Sequence, residues 1–314
     1  MTGRVLVVGD LVTDVIAALT GPVRPGTDTP AQIRVAGGGQ GGNTAAWLAH
    51  RGVPVTLVAA VGGDPAGRER LAELTTAGVD LAVRTVPGEP TGTLVVISTG
   101  RDRTMLADRG AAGELSPADL DAALAAWPDT RHLHLSGYVL LDEGTRPAGR
   151  HALATAAQRG LTTSVDAASA GPLRRVGPNR FLAWVRGVDL LLANAPEAAA
   201  LAATNRAAEP VTGRAGAAAA GAVLARVATA GVVKLGAAGA LWAGPNRVVR
   251  VTAPAVTVRD PTGAGDAFAA GLLAEWLAGA GPDRALRAGV ALGAAAVASI
   301  GARPAASPGP AADR

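Results

Sequence analysis

The run Asp260-Pro261-Thr262-Gly263-Ala264-Gly265-Asp266-Ala267-Phe268 places two glycines and an aspartate just ahead of apolar residues at helical spacing, Phe268, Leu272 and Trp276. That spacing predicts a helix beginning near Ala264, with Gly263, Ala264 and Gly265 as its entry turn. The first N–H groups of a helix have no intrahelical partner and carry the positive end of the dipole, so they form an anion site. Glycine lets that backbone approach phosphate oxygens, which a Cβ would obstruct. Asp266, in the first turn, is expected to be held ionised by the dipole and to accept a proton from a hydroxyl attacking the bound phosphate. Phosphoryl transfer asks for positioning, charge neutralisation and an aligned base, and these parts match it. Taken alone, the same aspartate reads equally well as an ordinary first-turn helix carboxylate.

A second run, Gly37-Gly38-Gly39-Gln40-Gly41-Gly42-Asn43, leads into the helical Thr44-Ala45-Ala46-Trp47-Leu48-Ala49. So many glycines weaken regular structure unless a ligand or another backbone comes close. Asn43 is either the N-cap of that helix or a hydrogen-bond partner for a polyol. A dinucleotide fingerprint would follow the first strand directly; Gly9-Asp10-Leu11-Val12-Thr13-Asp14 stands there instead.

The elements that must position these runs alternate. Short apolar strands are expected at residues 4–9, 55–60, 132–136, 162–166, 188–193 and 231–235, with helices near 40–51, 65–77, 117–127, 145–158 and 196–203. This is the pattern of βα units on a parallel sheet. Leu241-Trp242, residues 248–251 and Val256-Thr257-Val258 read as three antiparallel strands at one edge. Residues 12–35 and 79–105 break the alternation. They form either a small separate sheet that serves as a lid or an irregular edge of the main sheet.

Composition narrows the chemistry. The 314 residues include no cysteine, which closes thiolate, disulfide, iron–sulfur and Cys-zinc chemistry. Lys234 is the only lysine and lacks the glycine spacing of a Walker A loop. The arginines that dominate a net charge of +4 are scattered among acids, so no nucleic-acid partner is expected. No apolar stretch is long enough for a membrane span, and a cytoplasmic location is expected. His50, His132, His134 and His151 lack ligand spacing and are assigned to packing or surface roles.

The two runs, in this order, resemble the two signatures of the ribokinase-like (PfkB) carbohydrate kinases. Gly38, Gly39, Asn43 and Ala45 match G-G-x-x-x-N-x-A, and residues 260–268 match D-x-x-G-A-G-D-x-F at every defined position. Asn194-Ala195-Pro196-Glu197 is similar to the family's N-x-x-E, and Lys234-Leu235-Gly236-Ala237-Ala238-Gly239 to its nucleotide-side loop. The resemblance implies a three-layer α/β/α fold over residues 1–302, with a mostly parallel central sheet. It also implies a β-sheet lid from about 11–37 and 79–108 and a disordered tail at 303–314.

By the same resemblance Asp266 is the catalytic base, with Gly263, Ala264 and Gly265 as the anion hole. Asp14, Gly38, Gly39 and Asn43 hold the acceptor's hydroxyls. Asn194 and Glu197 organise Mg²⁺ through water, Lys234, Gly236 and Gly239 bind ATP, and Asp260 is a candidate monovalent-cation (K⁺) contact. A homodimer through the lid is a further family expectation. The chain departs from the ribokinase pattern at Gln40, Gly42, Thr44 and Pro261. The activity implied is ATP- and Mg²⁺-dependent phosphorylation of a small sugar or sugar-like hydroxyl. A nucleoside kinase of the adenosine, inosine or pseudouridine type and a non-catalytic sugar- or nucleotide-binding protein are the alternatives.

Overall fold

The computed structural model describes residues 3–99, 102–203, 211, 213–245 and 247–304. The expected disordered tail at 303–314 is corrected at its start, where the Arg303 side chain is hydrogen-bonded to Asn43, Gly38 and Glu73; residues 305–314 lie outside the described residues. Thirteen strands follow in chain order: β1 (Arg4–Val8), β2 (Val12–Leu19), β3 (Ala31–Gly38), β4 (Val55–Gly62), β5 (Asp80–Val86), β6 (Thr91–Thr99), β7 (Asp102–Gly110), β8 (Thr130–Ser136), β9 (Thr162–Asp166), β10 (Val188–Asn194), β11 (Ala228–Lys234), β12 (Ala240–Ala243) and β13 (Val248–Val251).

Nine of them form one sheet in the order β13-β12-β11-β10-β9-β8-β1-β4-β5, parallel from β11 to β5 and antiparallel at the β12 and β13 edge. Strands buried on both faces must be apolar throughout. In β1, Leu6 and Val8 enter one core with Leu133, Leu135 and Phe181, while Val5 and Val7 enter a second with Trp47, Phe268 and Leu272. Helices cover both faces, giving the three layers. With few aromatics, close approach of small residues does the packing. A Cβ on Gly271 of helix Ala264–Leu277 would stand 2.7 Å from the Ala288 carbonyl of helix Pro282–Val297.

The remaining strands make a separate four-stranded sheet, β3-β2-β6-β7. Two expectations need correction. Residues 80–86 belong to the main sheet as β5, paired parallel to β4, because Leu81 and Val83 pack on its core after the helix Pro65–Thr76 returns the chain. The small sheet's second segment therefore starts at Thr91. Val256-Thr257-Val258 is not a strand: β13 ends at Val251, and Val256 and Val258 are exposed on an unpaired extended stretch.

Chain order reverses about β1: β4 and β5 lie to one side, β8 to β11 to the other. Ligands bind outside the carboxyl ends of strands at such a switch point. Asp10, Ser136, Asp166, Asn194 and Lys234 stand at or just past those ends. Among the described residues no helix is long and apolar enough to cross a membrane.

Candidate active site

A cavity of about 440 Å³ opens over the strand ends, beneath the small sheet. Its walls hold Asp14, Gly39 and Asn43 from the first glycine-rich region, Gly263, Gly265 and Asp266 from the second, and Asn194, Glu197 and Lys234. Inward-pointing lid side chains, Leu94, Met105 and Ala107, roof it.

The helix Ala264–Leu277 starts where its apolar spacing predicts. Gly263, its N-cap, has φ 75°, a left-handed conformation that favours glycine, and a Cβ there would collide with the backbone of Ala302. Asp266 sits in the first turn, accepting from Asn43 Nδ2 at 3.0 Å. Burial pushes its carboxyl up to about 8, against the Asn43 hydrogen bond; the neighbouring Asp166 and Asp10 carboxylates add to the rise, and Lys234 opposes it. The expectation that the helix dipole holds Asp266 ionised is therefore corrected: burial raises its proton affinity. A carboxyl whose proton affinity lies near neutrality is suited to general-base transfer.

The helix of the glycine run starts at Gln40, as expected, with Gly39 as N-cap at φ 90°, so Gly41 and Gly42 are helical and, of the two readings of Asn43, the N-cap is excluded. The reason is close packing. A Cβ on Gly41 would stand 2.7 Å from the Gly9 Cα, and Gly42 N donates to Asp10 O at 3.0 Å. This proximity aims the helix N-terminus at the Asp10 carboxylate, which accepts from Gly41 N at 3.3 Å. Asp14 presses its carboxylate onto Gly38, where any Cβ would collide. Buried, and facing Asp10, its carboxyl is pushed up to about 6, and its Oδ1 has no hydrogen-bond partner. An unsatisfied buried acceptor in a cavity wall suits a ligand hydroxyl.

Between the walls lies a charged centre. Lys234 Nζ donates to Asp166 Oδ2 at 2.6 Å, and a Cβ on Gly265 would stand 3.2 Å from the same ammonium. The single lysine thus leans over the turn that precedes Asp266. Burial works against its charge, but the Asp166 and Glu197 carboxylates prevail and hold Lys234 above its ordinary range. Glu197 is pushed up to about 7 by burial, with Lys234 opposing. It forms a capping box with Asn194: Glu197 N donates to Asn194 Oδ1 at 2.9 Å, and Asn194 N donates to Glu197 Oε2 at 2.8 Å. Among the described residues no group of three or more acidic or histidine side chains is placed to hold a bare metal ion. Asn194 and Glu197, both on the cavity wall, fit a hydrated Mg²⁺, which keeps several waters.

Other expected residues stand elsewhere. Asp260 accepts from Thr262 N at Oδ1 and from Gly301 N at Oδ2, at 2.9 and 3.0 Å, tying two loops together outside the cavity wall. Gly239, φ 90°, packs on the Val251 backbone where β12 begins, and Gly236 has open space beside it; neither lines the cavity. His132 and His134 are buried neutral in the sheet, pushed down to about 3 and about 4 by burial, and bond Ser164 at 2.8 and 2.7 Å.

Four residues of the site carried no motif. Asp166 and Asp10 end apolar strands at the carboxyl edge, a placement that could have marked them. Arg109, from the lid, pairs with Asp10 at 3.3 Å and stacks on Tyr138, 5.5 Å from the ring centroid. Only the fold brings these last two together.

Comparison with known proteins gives a consistent result. The family described as pfkB family carbohydrate kinase matches residues 2–308. An ATP-dependent ribose-1-phosphate kinase of Halopiger xanaduensis is 32% identical over 285 residues, covering 89% of this chain and 87% of that protein. A 2-dehydro-3-deoxygluconokinase of Thermoproteus tenax is 31% identical over 253 residues, 78% and 74% of the two chains. The crystal structure of an adenosine kinase from Sinorhizobium meliloti superposes with a TM-score of 0.83 at 25% identity, covering 97% of this chain and 96% of that one.

Proposed function

The chain belongs to the pfkB family of carbohydrate kinases, phosphotransferases with hydroxyl acceptors, and we propose that it transfers the γ-phosphoryl group of ATP to a hydroxyl of a small sugar or sugar-like acceptor. The observation that carries this reading is that Asp14, Asn43, Lys234, Gly263, Gly265 and Asp266 line one cavity, with Asn43 hydrogen-bonded to Asp266. The acceptor's hydroxyls bond Asp14 and Asn43, and the attacking one loses its proton to Asp266. The N–H groups of the 263–265 turn face the transferred group, and Lys234 beside them offsets its developing charge. Mg²⁺ entering with ATP supplies further neutralisation of phosphate charge, and Asn194 and Glu197 are the residues that would hold its water shell. Gly236, with open space beside it, keeps its assignment to the nucleotide. Leu94, Met105 and Ala107 of the lid exclude water, the competing acceptor.

Tyr138 is the aromatic side chain that the described residues contribute to the cavity wall, and Arg109 occupies one face of its ring. That leaves little for stacking a base and favours a sugar over a nucleoside. Coupled ADP release over pentoses, hexoses, sugar phosphates, keto-deoxy acids, adenosine, inosine and pseudouridine tests the reading. Turnover confined to the nucleosides selects the nucleoside kinase, and ATP binding without any turnover selects a binding protein.

The lid also suggests an assembly. Register and strand alternation put Asp14, Leu94, Met105 and Ala107 on the inner face and Val35, Ile33 and Leu106 on the outer one. The last three are 63%, 66% and 54% exposed, an apolar stripe of the kind that marks an interface. A second copy of the chain is the proposed cover. Light scattering is expected to give twice the monomer mass, falling to the monomer in an Ile33→Asp/Leu106→Asp variant; a monomeric wild type removes the proposal.

A further inference from the structure

Arg303 lies outside every recognised motif, yet its side chain is only 13% exposed and reaches Asn43 of the cavity wall. Its Nε donates to Asn43 Oδ1 at 3.2 Å, its Nη2 to the Gly38 carbonyl at 3.0 Å, and its Nη1 to Glu73 Oε2 at 2.9 Å. Glu73 is itself held by the buried Arg70, at 2.7 Å. A guanidinium only donates, so the Asn43 atom it meets must be the amide oxygen. That choice points the amide NH₂ group at Asp266, whose Oδ2 it reaches. Without such a fixed donor, an asparagine amide can present either end to its neighbours.

The glycine run is shaped around the same side chain. A Cβ on Gly37 would collide with Arg303 and Glu73, and one on Gly42 would stand 3.0 Å from Arg303 Nη2. Gly42 is one of the positions at which this chain departs from the ribokinase pattern, and Leu11 Cδ1, at 2.9 Å, together with the guanidinium gives that departure a steric reason. The backbone next to Arg303 is tied down equally well. Ala302 O accepts from Trp47 Nε1 at 2.9 Å, and Gly301 N donates to Asp260 Oδ2. Gly263 can approach Ala302 only because it lacks a Cβ. Residues 301–303 therefore touch both glycine-rich turns.

We propose that Arg303 is a positioning residue for phosphoryl transfer: it fixes the Asn43 amide and, through it, the Asp266 carboxylate, clamping the two glycine-rich turns into one site. This rests on the kinase reading above. Arg303 touches no reacting atom, so its loss displaces the base rather than removing it. Arg303→Ala is expected to lower kcat roughly 10- to 100-fold, with the KM for ATP changed by less than about twofold, because the lost link bears on the base and not on the nucleotide. The Arg303→Ala/Asn43→Ala double variant is expected to be no slower than Asn43→Ala alone, since both cut the same link. If Arg303→Ala does not fold, Glu73→Gln, which weakens the anchor and keeps its shape, is put through the same cycle with Asn43→Ala. Wild-type kcat in Arg303→Ala, or losses that multiply in the double variant, would overturn the proposal. A wild type that turns over no acceptor sinks the kinase reading instead. The Arg303 and Asn43 cycle is then read in urea unfolding midpoints, where additive effects overturn the positioning claim and non-additive ones support it.

Discussion

Asp266→Asn is expected to lose about 10²- to 10⁴-fold in kcat, the usual contribution of a positioned general base, while ATP binding and the fold survive. The substitution keeps the shape and leaves an amide oxygen to accept from Asn43 Nδ2, so the link between the two turns persists. Only the capacity to take a proton is removed. Because burial pushes the Asp266 carboxyl up to about 8, kcat/KM of the wild type should climb with pH and level off near that value. The residual activity of the variant should lack this limb. The same burial gives a stability signature with a definite sign. In the folded chain the carboxyl holds its proton to about 8, whereas in the unfolded chain it releases it near 3.8. The folded state thus binds more protons between those values, and its stability falls as pH rises through that window. The asparagine variant carries no such penalty, so its Tm should exceed that of the wild type by a margin larger at pH 9 than at pH 5. Retained turnover in the purified variant would remove Asp266 from the mechanism. A Tm difference independent of pH would show that its carboxyl is not desolvated.

The legible and illegible parts of this site divide along physical lines. Gly263, Gly265 and Asp266 form one turn whose place at a helix N-terminus follows from the apolar spacing behind it, so the sequence locates both the turn and the start of its helix. Apolar runs such as Val5 to Val8 likewise announce strands buried on both faces. For Asn43 the sequence left two readings, N-cap or polyol partner; the N-cap reading falls because Gly41, lying against Gly9, is already helical, a long-range contact that no local propensity encodes. The β5 strand was read as part of the lid for the same reason, since pairing with β4 is decided by tertiary packing. The ionisation of Asp266 was misjudged because sequence reveals the helix dipole but not the depth of burial. Arg109 and Arg303 were illegible. Arginine is common on surfaces, and nothing near either residue in the chain tells that Asp10 and Asn43, 99 and 260 residues away, wait for them.

Lys234→Met should be the most damaging single change to stability in the site. Methionine keeps the length of the side chain and fills most of its space, so packing is little altered and the effect isolates the charge. The ammonium is 12% exposed and its partner Asp166 1%, so the substitution strands a buried carboxylate, with Glu197 as a second acid facing the same spot. Breaking one side of a buried pair typically destabilises by about 3–5 kcal/mol. The loss should depend on pH. Glu197 is already pushed up to about 7 by burial with Lys234 pulling it down, and removing that pull raises its proton affinity further. The folded variant then holds a proton that the unfolded chain releases near 4.5, so its stability falls as pH rises from there through the raised folded value. The variant should therefore approach wild-type Tm near pH 5 and fall well below it at pH 8. Loss of a cation beside the 263–265 turn should also lower kcat/KM by about 10²- to 10³-fold, the scale of deleting one preorganised group that stabilises transition-state charge. Circular-dichroism melts from pH 5 to 9, paired with ADP-release kinetics, separate the two roles. Unchanged melting at pH 8 would mean that Asp166 and Glu197 do not depend on Lys234, and unchanged kinetics would mean that its ammonium does not act on the transferred phosphate.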